Sequence, residues 1–182
     1  ISTNADNTWQ LATMNAGSLN GLGFASVENL LGGTGDDSFV LANGAGVSGT
    51  IDGGTDDSAR PTAAVDSIDY SAYTAALTVN LAASTATGTG GLSAIDSFIG
   101  GQSGSDTVVG PADASVIWSV TGADETEVAG FGFSSFENLT GAANNTDAFV
   151  FAASGSLSGV VDGGAGGTDG LAFIDASDNM LA

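Results

Sequence analysis

The chain has 182 residues, 42% of them apolar, with 29 glycines, 21 acidic residues and Arg60 as its single basic residue, for a formal charge of -20. That length suits one domain with a core, and the apolar fraction is too high for an acidic disordered tail. The charge excludes nucleic acid and anionic membrane surfaces as partners, because both would repel it.

Histidine, cysteine and lysine are absent, so serine and cysteine triads fail for want of reagents. No apolar run approaches the ~18 residues that span a bilayer, and no charged stretch precedes an apolar one as in a signal peptide. We expect no membrane insertion, and a mature or excised segment whose targeting signal lies elsewhere.

In chain order, apolar segments of three to five residues recur between clusters of Gly, Ser, Asn and Asp. The first is Trp9 to Ala12 and the second Val27 to Leu31. A glycine loop follows, and Phe39 to Leu41 leaves it. Thr50 to Ile51 leads into Asp52-Gly53-Gly54 and an insert from Ser58 to Ala64, around Arg60-Pro61, expected to protrude. Beyond it come Ile68 to Tyr70, Leu77 to Leu81, Ile95 to Ile99, Thr107 to Val109 and Val116 to Val120. The last are Phe136 to Leu139, Phe149 to Phe151, Val160 to Val161 and Leu171 to Ile174. Several alternate inward and outward, as Leu77, Val79 and Leu81 do, which is the period of a half-buried strand. No stretch carries a sustained helical stripe, so almost no helix is expected.

Blocks of the chain repeat about 109 residues apart. Trp9-Gln10-Leu11 matches Trp118-Ser119-Val120, Phe24 to Leu30 matches Phe133 to Leu139, and Ser48 to Gly54 matches Ser158 to Gly164. We divide the chain into a first long repeat, 1–110, and a second, incomplete one, 111–182, in one continuous structure. Similar segments that recur without complementing each other must stack to bury their apolar faces. The expected fold is therefore all-β: a β-solenoid, an irregular parallel β-helix or β-roll of short strands and Gly/Asp-rich turns. Trp9 and Trp118 read as core, as do Phe24, Phe131, Phe133 and Phe136.

The loop Gly32-Gly33-Thr34-Gly35-Asp36-Asp37-Ser38-Phe39-Val40 fits the nonapeptide G-G-x-G-x-D-x-U-x, in which U is a large apolar residue. Carbonyl and carboxylate oxygens suit Ca2+, which takes about six to eight hard oxygen ligands, better than they suit zinc or copper. Looser versions end in Asp57 or Asp66 after Gly53-Gly54, in Asp106 after Gly100-Gly101, in Asp147 after Gly141, and in Asp169 after Gly163-Gly164. Asp52 and Asp162 precede a Gly-Gly pair in both copies and could contribute from a neighbouring turn. Aspartates stacked ~5 Å apart would repel by roughly 0.8 kcal/mol in water, or 3 kcal/mol at an effective dielectric of 20. A bound divalent ion would reverse that sign and make metal part of folding.

On these residues the chain resembles the repeats-in-toxin class of secreted bacterial calcium-binding proteins, and long repetitive surface proteins with E-N-L-x-G-G, I-D-G-G and T-V-N-L segments. The full motif match covers Gly32 to Val40. The resemblance implies Asp37 as side-chain ligand, with Asp36 beside it, Gly33 and Gly35 as carbonyl ligands, and Phe39 as core. Regular calcium rolls repeat the loop every eighteen residues, and this chain does not, so a few sites are expected rather than a ladder.

Carboxylates that follow the repeat argue against a catalytic pair, which should break it, so no enzyme is expected. The function expected is structural and extracellular: a calcium-stabilised segment of a bacterial adhesin, surface layer or biofilm matrix filament at the cell surface. Its partners would be copies of itself or adjacent repeats, stacked end to end, and surface glycans. The alternative is a calcium-dependent module that recognises glycans or ice, the latter suggested by the alternating threonines of Thr85 to Thr89.

Overall fold

The computed structural model describes residues 5–55, 65–174 and 180–181. Asp57 and the insert around Arg60-Pro61 lie outside those residues. Among the described residues there are twenty strands and no helix.

The first copy opens with β1 (Thr8–Thr13), β2 (Ala16–Leu19) and β3 (Leu22–Ala25), followed by β4 (Leu30–Gly33), β5 (Ser38–Leu41), β6 (Thr50–Gly54) and β7 (Ser67–Asp69). Next come β8 (Thr78–Asn80), β9 (Thr85–Ala86), β10 (Gly91–Ser93), β11 (Ser97–Ile99) and β12 (Thr107–Val109). The second copy carries β13 (Ser115–Gly122), β14 (Glu125–Val128), β15 (Phe131–Ser134), β16 (Asn138–Thr140), β17 (Thr146–Phe151), β18 (Val161–Asp162), β19 (Gly170–Ile174) and β20 (Met180–Leu181).

Most long-range pairing is parallel and in register. One column of facing residues runs Trp9, Phe39, Ile68, Phe98 and Phe133 across β1, β5, β7, β11 and β15. All five side chains are buried. A second column runs Trp118, Phe149 and Leu171 across β13, β17 and β19. A third carries Val79, Val108, Leu139 and Val161 across β8, β12, β16 and β18, and a fourth Leu30, Ile51 and Leu92 across β4, β6 and β10. Because side chains alternate along a strand, in-register parallel pairing puts like on like, so a repeated apolar position becomes a continuous row. The rows merge into one core that includes residues of both copies.

Aromatic rings stack along these rows. Trp9 lies 5.9 Å from Phe39 at 12°, Phe98 lies 5.2 Å from Phe133 at 8°, and Trp118 lies 5.2 Å from Phe149 at 23°. Tyr70 and Tyr73 pack edge to face at 5.1 Å, and their hydroxyls donate to the Thr87 and Ala45 carbonyls. Both tyrosines are buried, so the core has polar ends with partners. Of the phenylalanines expected inside, Phe133 and Phe136 are buried, whereas Phe24 and Phe131 are partly buried against the core.

The sheets are mixed, which departs from parallel pairing throughout. β1, β2 and β3 form an antiparallel meander, and β13, β14 and β15 form its counterpart. The reversals rest on left-handed turns at equivalent places: Asn15 and Asp124, Asn20 and Ala129, Ser26 and Ser135. Gly21 and Gly130 follow two of these turns, also at positive φ, where a side chain would be strained. Ala16 to Ser18 and Glu125 to Glu127 are small or polar, so apolar patterning did not mark the middle strands, although Leu19 and Val128 at their ends meet the core. The meanders recur about 109 residues apart with the same register, Gly17 facing Phe24 and Thr126 facing Phe133.

The column from Trp9 to Phe133 should carry much of the stability. Phe98→Ala is expected to cost ~3–5 kcal/mol, as aromatic truncations in packed cores do. Urea unfolding would check it, and a loss below ~1 kcal/mol would show that the row is not a packed core.

Candidate functional site

The turns that precede the parallel strands gather the expected metal ligands. At the entry to β5, β7, β11, β12, β16, β17 and β19 an acidic residue sits two positions ahead of the apolar residue of the row, as in Asp37-Ser38-Phe39, Asp66-Ser67-Ile68 and Asp96-Ser97-Phe98. Alternation then sends the acid inward beside the core. Asp37, Asp66, Asp106 and Asp147 are all buried, none more than 3% exposed.

Their oxygens meet backbone N–H groups. The Asn7 N–H donates to Asp37 Oδ1 at 2.9 Å, the Asp37 N–H to Asp66 Oδ1 at 2.8 Å, and the Asp66 N–H to Asp96 Oδ2 at 2.7 Å. The sequence separations of 30, 29 and 30 residues are those of neighbouring parallel passes of the chain. A second series has the Leu77 N–H donating to Asp106 Oδ1 at 3.1 Å and the Asp106 N–H to Glu137 Oε2 at 2.8 Å. A third has the Asp147 N–H donating to Asp169 Oδ1 at 3.0 Å. The acceptor always lies on the later pass and reaches back to the earlier one. Each such bond is charge-assisted, and therefore stronger than a neutral one.

Glycine makes room for the carboxylates. A Cβ on Gly32 would collide with Asp37, one on Gly53 with Asp66, one on Gly141 with Asp147, and one on Gly163 with Asp169. Gly100 and Gly101 lie close to Asp106, where an added Cβ would collide first with the Ser135 and Tyr73 carbonyls, and the Gly101 N–H donates to Asp106 Oδ2 at 2.7 Å. The Gly-Gly pairs of the motif thus seat a carboxylate. Gly33 has φ 140°, and its carbonyl accepts the Thr55 N–H at 2.8 Å. Gly35 is buried against the backbone of Ala5 and Asp6.

The remaining candidates lie outside this inner row. Asp36 is exposed; its N–H donates to Asp6 Oδ1 at 3.0 Å, and its own Oδ1 accepts the Val65 N–H at 3.1 Å. Asp52 and Asp162 act within their own turns, accepting the Gly54 and Gly164 N–H groups at 3.0 Å. Neither reaches a neighbouring turn through these bonds. The row also includes Asn7, Asp96 and Glu137, which the glycine motif missed. Their signal was present as an acid or amide, one free residue, then an apolar residue, at about 30-residue spacing.

The described carboxylates form no group of three or more that could hold a metal ion. Calcium takes about six to eight convergent oxygen ligands, carbonyls included; in the inner row each carboxylate accepts an N–H from an earlier segment, and Asp106 accepts a second from Gly101. Two carboxylate oxygens are buried without a hydrogen-bond partner, Asp37 Oδ2 and Asp147 Oδ2, and so is Thr34 Oγ1 of the same glycine loop as Asp37. Burial raises the pKa of Asp37 above the ordinary aspartate value, against the lowering effect of its bonds to Asn7. Burial likewise raises that of Glu137.

The two copies solve one position differently. Trp118 Nε1 donates to Asp147 Oδ1 at 2.9 Å, whereas the equivalent Asp37 takes the Asn7 N–H and leaves Trp9 Nε1 buried without a partner. Comparison with protein-family models, curated proteins and solved structures gave no match.

Two outcomes follow for the inner row. Asp37→Ala should cost ~1–3 kcal/mol by orphaning the Asn7 N–H, and Asp37→Asn should cost less because an amide oxygen can still accept it. Equal losses in denaturant melts would count against the acceptor role. The raised pKa values of Asp37 and Glu137 mean that the native chain holds protons more tightly than the unfolded chain between the ordinary and the raised values. Stability should thus fall as pH rises through that interval and increase on mild acidification from neutrality. Thermal melts would show it, with a smaller rise in Glu137→Gln; a melting temperature that drops on mild acidification would contradict it.

Proposed function

We propose that this chain is a structural, extracellular repeat segment, a β-solenoid of a surface or matrix protein that extends by stacking one pass of chain on the next. The observation that carries this reading is the series of parallel, in-register passes joined by N–H to carboxylate bonds at separations of 30, 29 and 30 residues. Such a series adds passes without changing its geometry, as load-bearing or spacing elements require. The acidic side chains serve the backbone of the neighbouring pass, which gives them a structural task rather than a catalytic one.

Calcium enters this reading as the counter-ion of an acidic surface. Asp36, Asp162 and Asp169 are exposed, and a charge of -20 opposes compaction through self-repulsion. Divalent cations relieve that repulsion without a closed cage. Adhesin, surface layer and biofilm matrix filament are the settings that such a segment fits, at the cell surface and among copies of its own repeat.

Melting at fixed ionic strength tests the cation role. Calcium and magnesium should both raise the melting temperature gradually. A steep, saturable, calcium-specific rise that Asp37→Asn abolishes would replace the counter-ion reading with a loop-bound ion. Electron microscopy tests assembly: tandem copies should form rods whose length grows with copy number, and compact particles of unchanged length would refute the stacking function.

A further inference from the structure

The two copies differ in what covers one face. β15 pairs with β14 on one side and, in parallel, with β11 on the other; β16 pairs with β18 and, in parallel, with β12. Their counterparts in the first copy are β3 and β4. Among the described residues, β3 pairs only with β2, and β4 only with β6. Among the described residues both strands therefore keep one open edge, the edge that β11 and β12 cover in the second copy.

The side chains record the same difference. Phe133 is 4% exposed and Phe136 0%, whereas their counterparts Phe24 and Val27 are only partly buried. Leu22, the counterpart of partly buried Phe131, is 74% exposed. Glu137 is buried and accepts the Asp106 N–H, while its counterpart Glu28 is exposed. Since every carboxylate of the inner row accepts from the earlier pass, Glu28 stands where an earlier pass would present its N–H.

We propose that the face formed by β3, Glu28 and β4 is a docking surface for a pass with the sequence of residues 97–109, supplied by a preceding repeat. The geometry of the second copy defines its seat. A Ser-Phe-Ile strand pairs in parallel with β3, its phenylalanine facing Phe24 as Phe98 faces Phe133. A Thr-Val-Val strand pairs in parallel with β4, its central valine facing Leu30 as Val108 faces Leu139. The aspartate before it gives its N–H to the Glu28 carboxylate, as Asp106 does to Glu137. Another molecule of this same chain does not offer that pass, because its own residues 97–109 are held between β7 and β15 and between β8 and β16. The occupant is therefore a repeat placed ahead in a tandem array. This inference rests on the stacking reading above and adds the side, the register and the sequence of what stacks there.

The test is hydrogen exchange on the intact chain and on a fusion that places a duplicate of residues 66–109 ahead of Ile1. Residues 22–33 should exchange ~10-fold or more slowly in the fusion than in the intact chain, approaching residues 131–140. Changing the duplicate's copies of Phe98 and Val108 to aspartate should abolish the gain. Unchanged exchange at 22–33 in the fusion, with 131–140 protected, overturns the docking face alone; exchange at 131–140 as fast as at 22–33 in the intact chain overturns the stacking reading itself. If the fusion does not fold, a synthetic peptide of residues 95–110 is added to the intact chain, with slowed exchange at 22–33 expected and no change counting against the proposal. Concentration-dependent dimerisation of the intact chain that protects 22–33 would assign the face to a second molecule and overturn the tandem occupant.

Discussion

Where the chain enters a parallel strand, a backbone N–H points along the stack toward the next pass, ahead of the first residue of the ladder. An unpaired buried N–H is costly. Here the side chain of the equivalent residue on the next pass accepts it, so that one position both donates and receives. Asp37 and Asp66 each do both, and Asp106 does the same in the second series. Register, turn shape and core continuity all depend on this bond, because a slip of one residue would remove the acid from its donor and the apolar residue from its row.

The same bond explains a composition that otherwise looks self-destructive. Buried like charges on adjacent passes repel, yet each is set against an N–H dipole, and the aspartates are backed by glycine, whose missing Cβ lets backbone and carboxylate approach. Asp37 and Glu137 still carry some of the cost, as their raised proton affinity reflects. The many glycines thus have two separate duties: some seat carboxylates, and others, such as Gly21 and Gly130, turn the chain at positive φ.

Internal repetition makes the protein its own comparison. Asn7 and Val116 occupy equivalent places, and the exchange of a donor-rich amide for an apolar side chain is matched by Trp118 taking over the bond to Asp147. The left-handed turn pairs at Asn15 and Asp124 keep their task as well, each side chain accepting the N–H of the serine on a neighbouring segment, Ser48 or Ser158. Where the copies differ without such substitution, at Phe24 against Phe133 and Glu28 against Glu137, the difference lies in what packs over them.

Much of the fold was legible in the residues themselves. Period-two alternation around Val79, Trp118 and Phe149, and the repeat of Trp9, Phe24 and Asp52 at about 109 residues, determine short strands, absence of helix among the described residues, and like-on-like stacking, since these are local patterns tied to backbone geometry. The middle strands of the meanders were not legible, because Ala16 to Ser18 and Glu125 to Glu127 carry no large apolar side chain and the left-handed turns at their ends set the reversal, although Thr126 and Val128 are buried. Which N–H groups the aspartates meet was decided by tertiary structure alone. A Gly-Gly-x-Gly-x-Asp loop presents oxygens whether they face a cation or an N–H, and only the position of the neighbouring pass, about 30 residues away in sequence, determines which donor arrives.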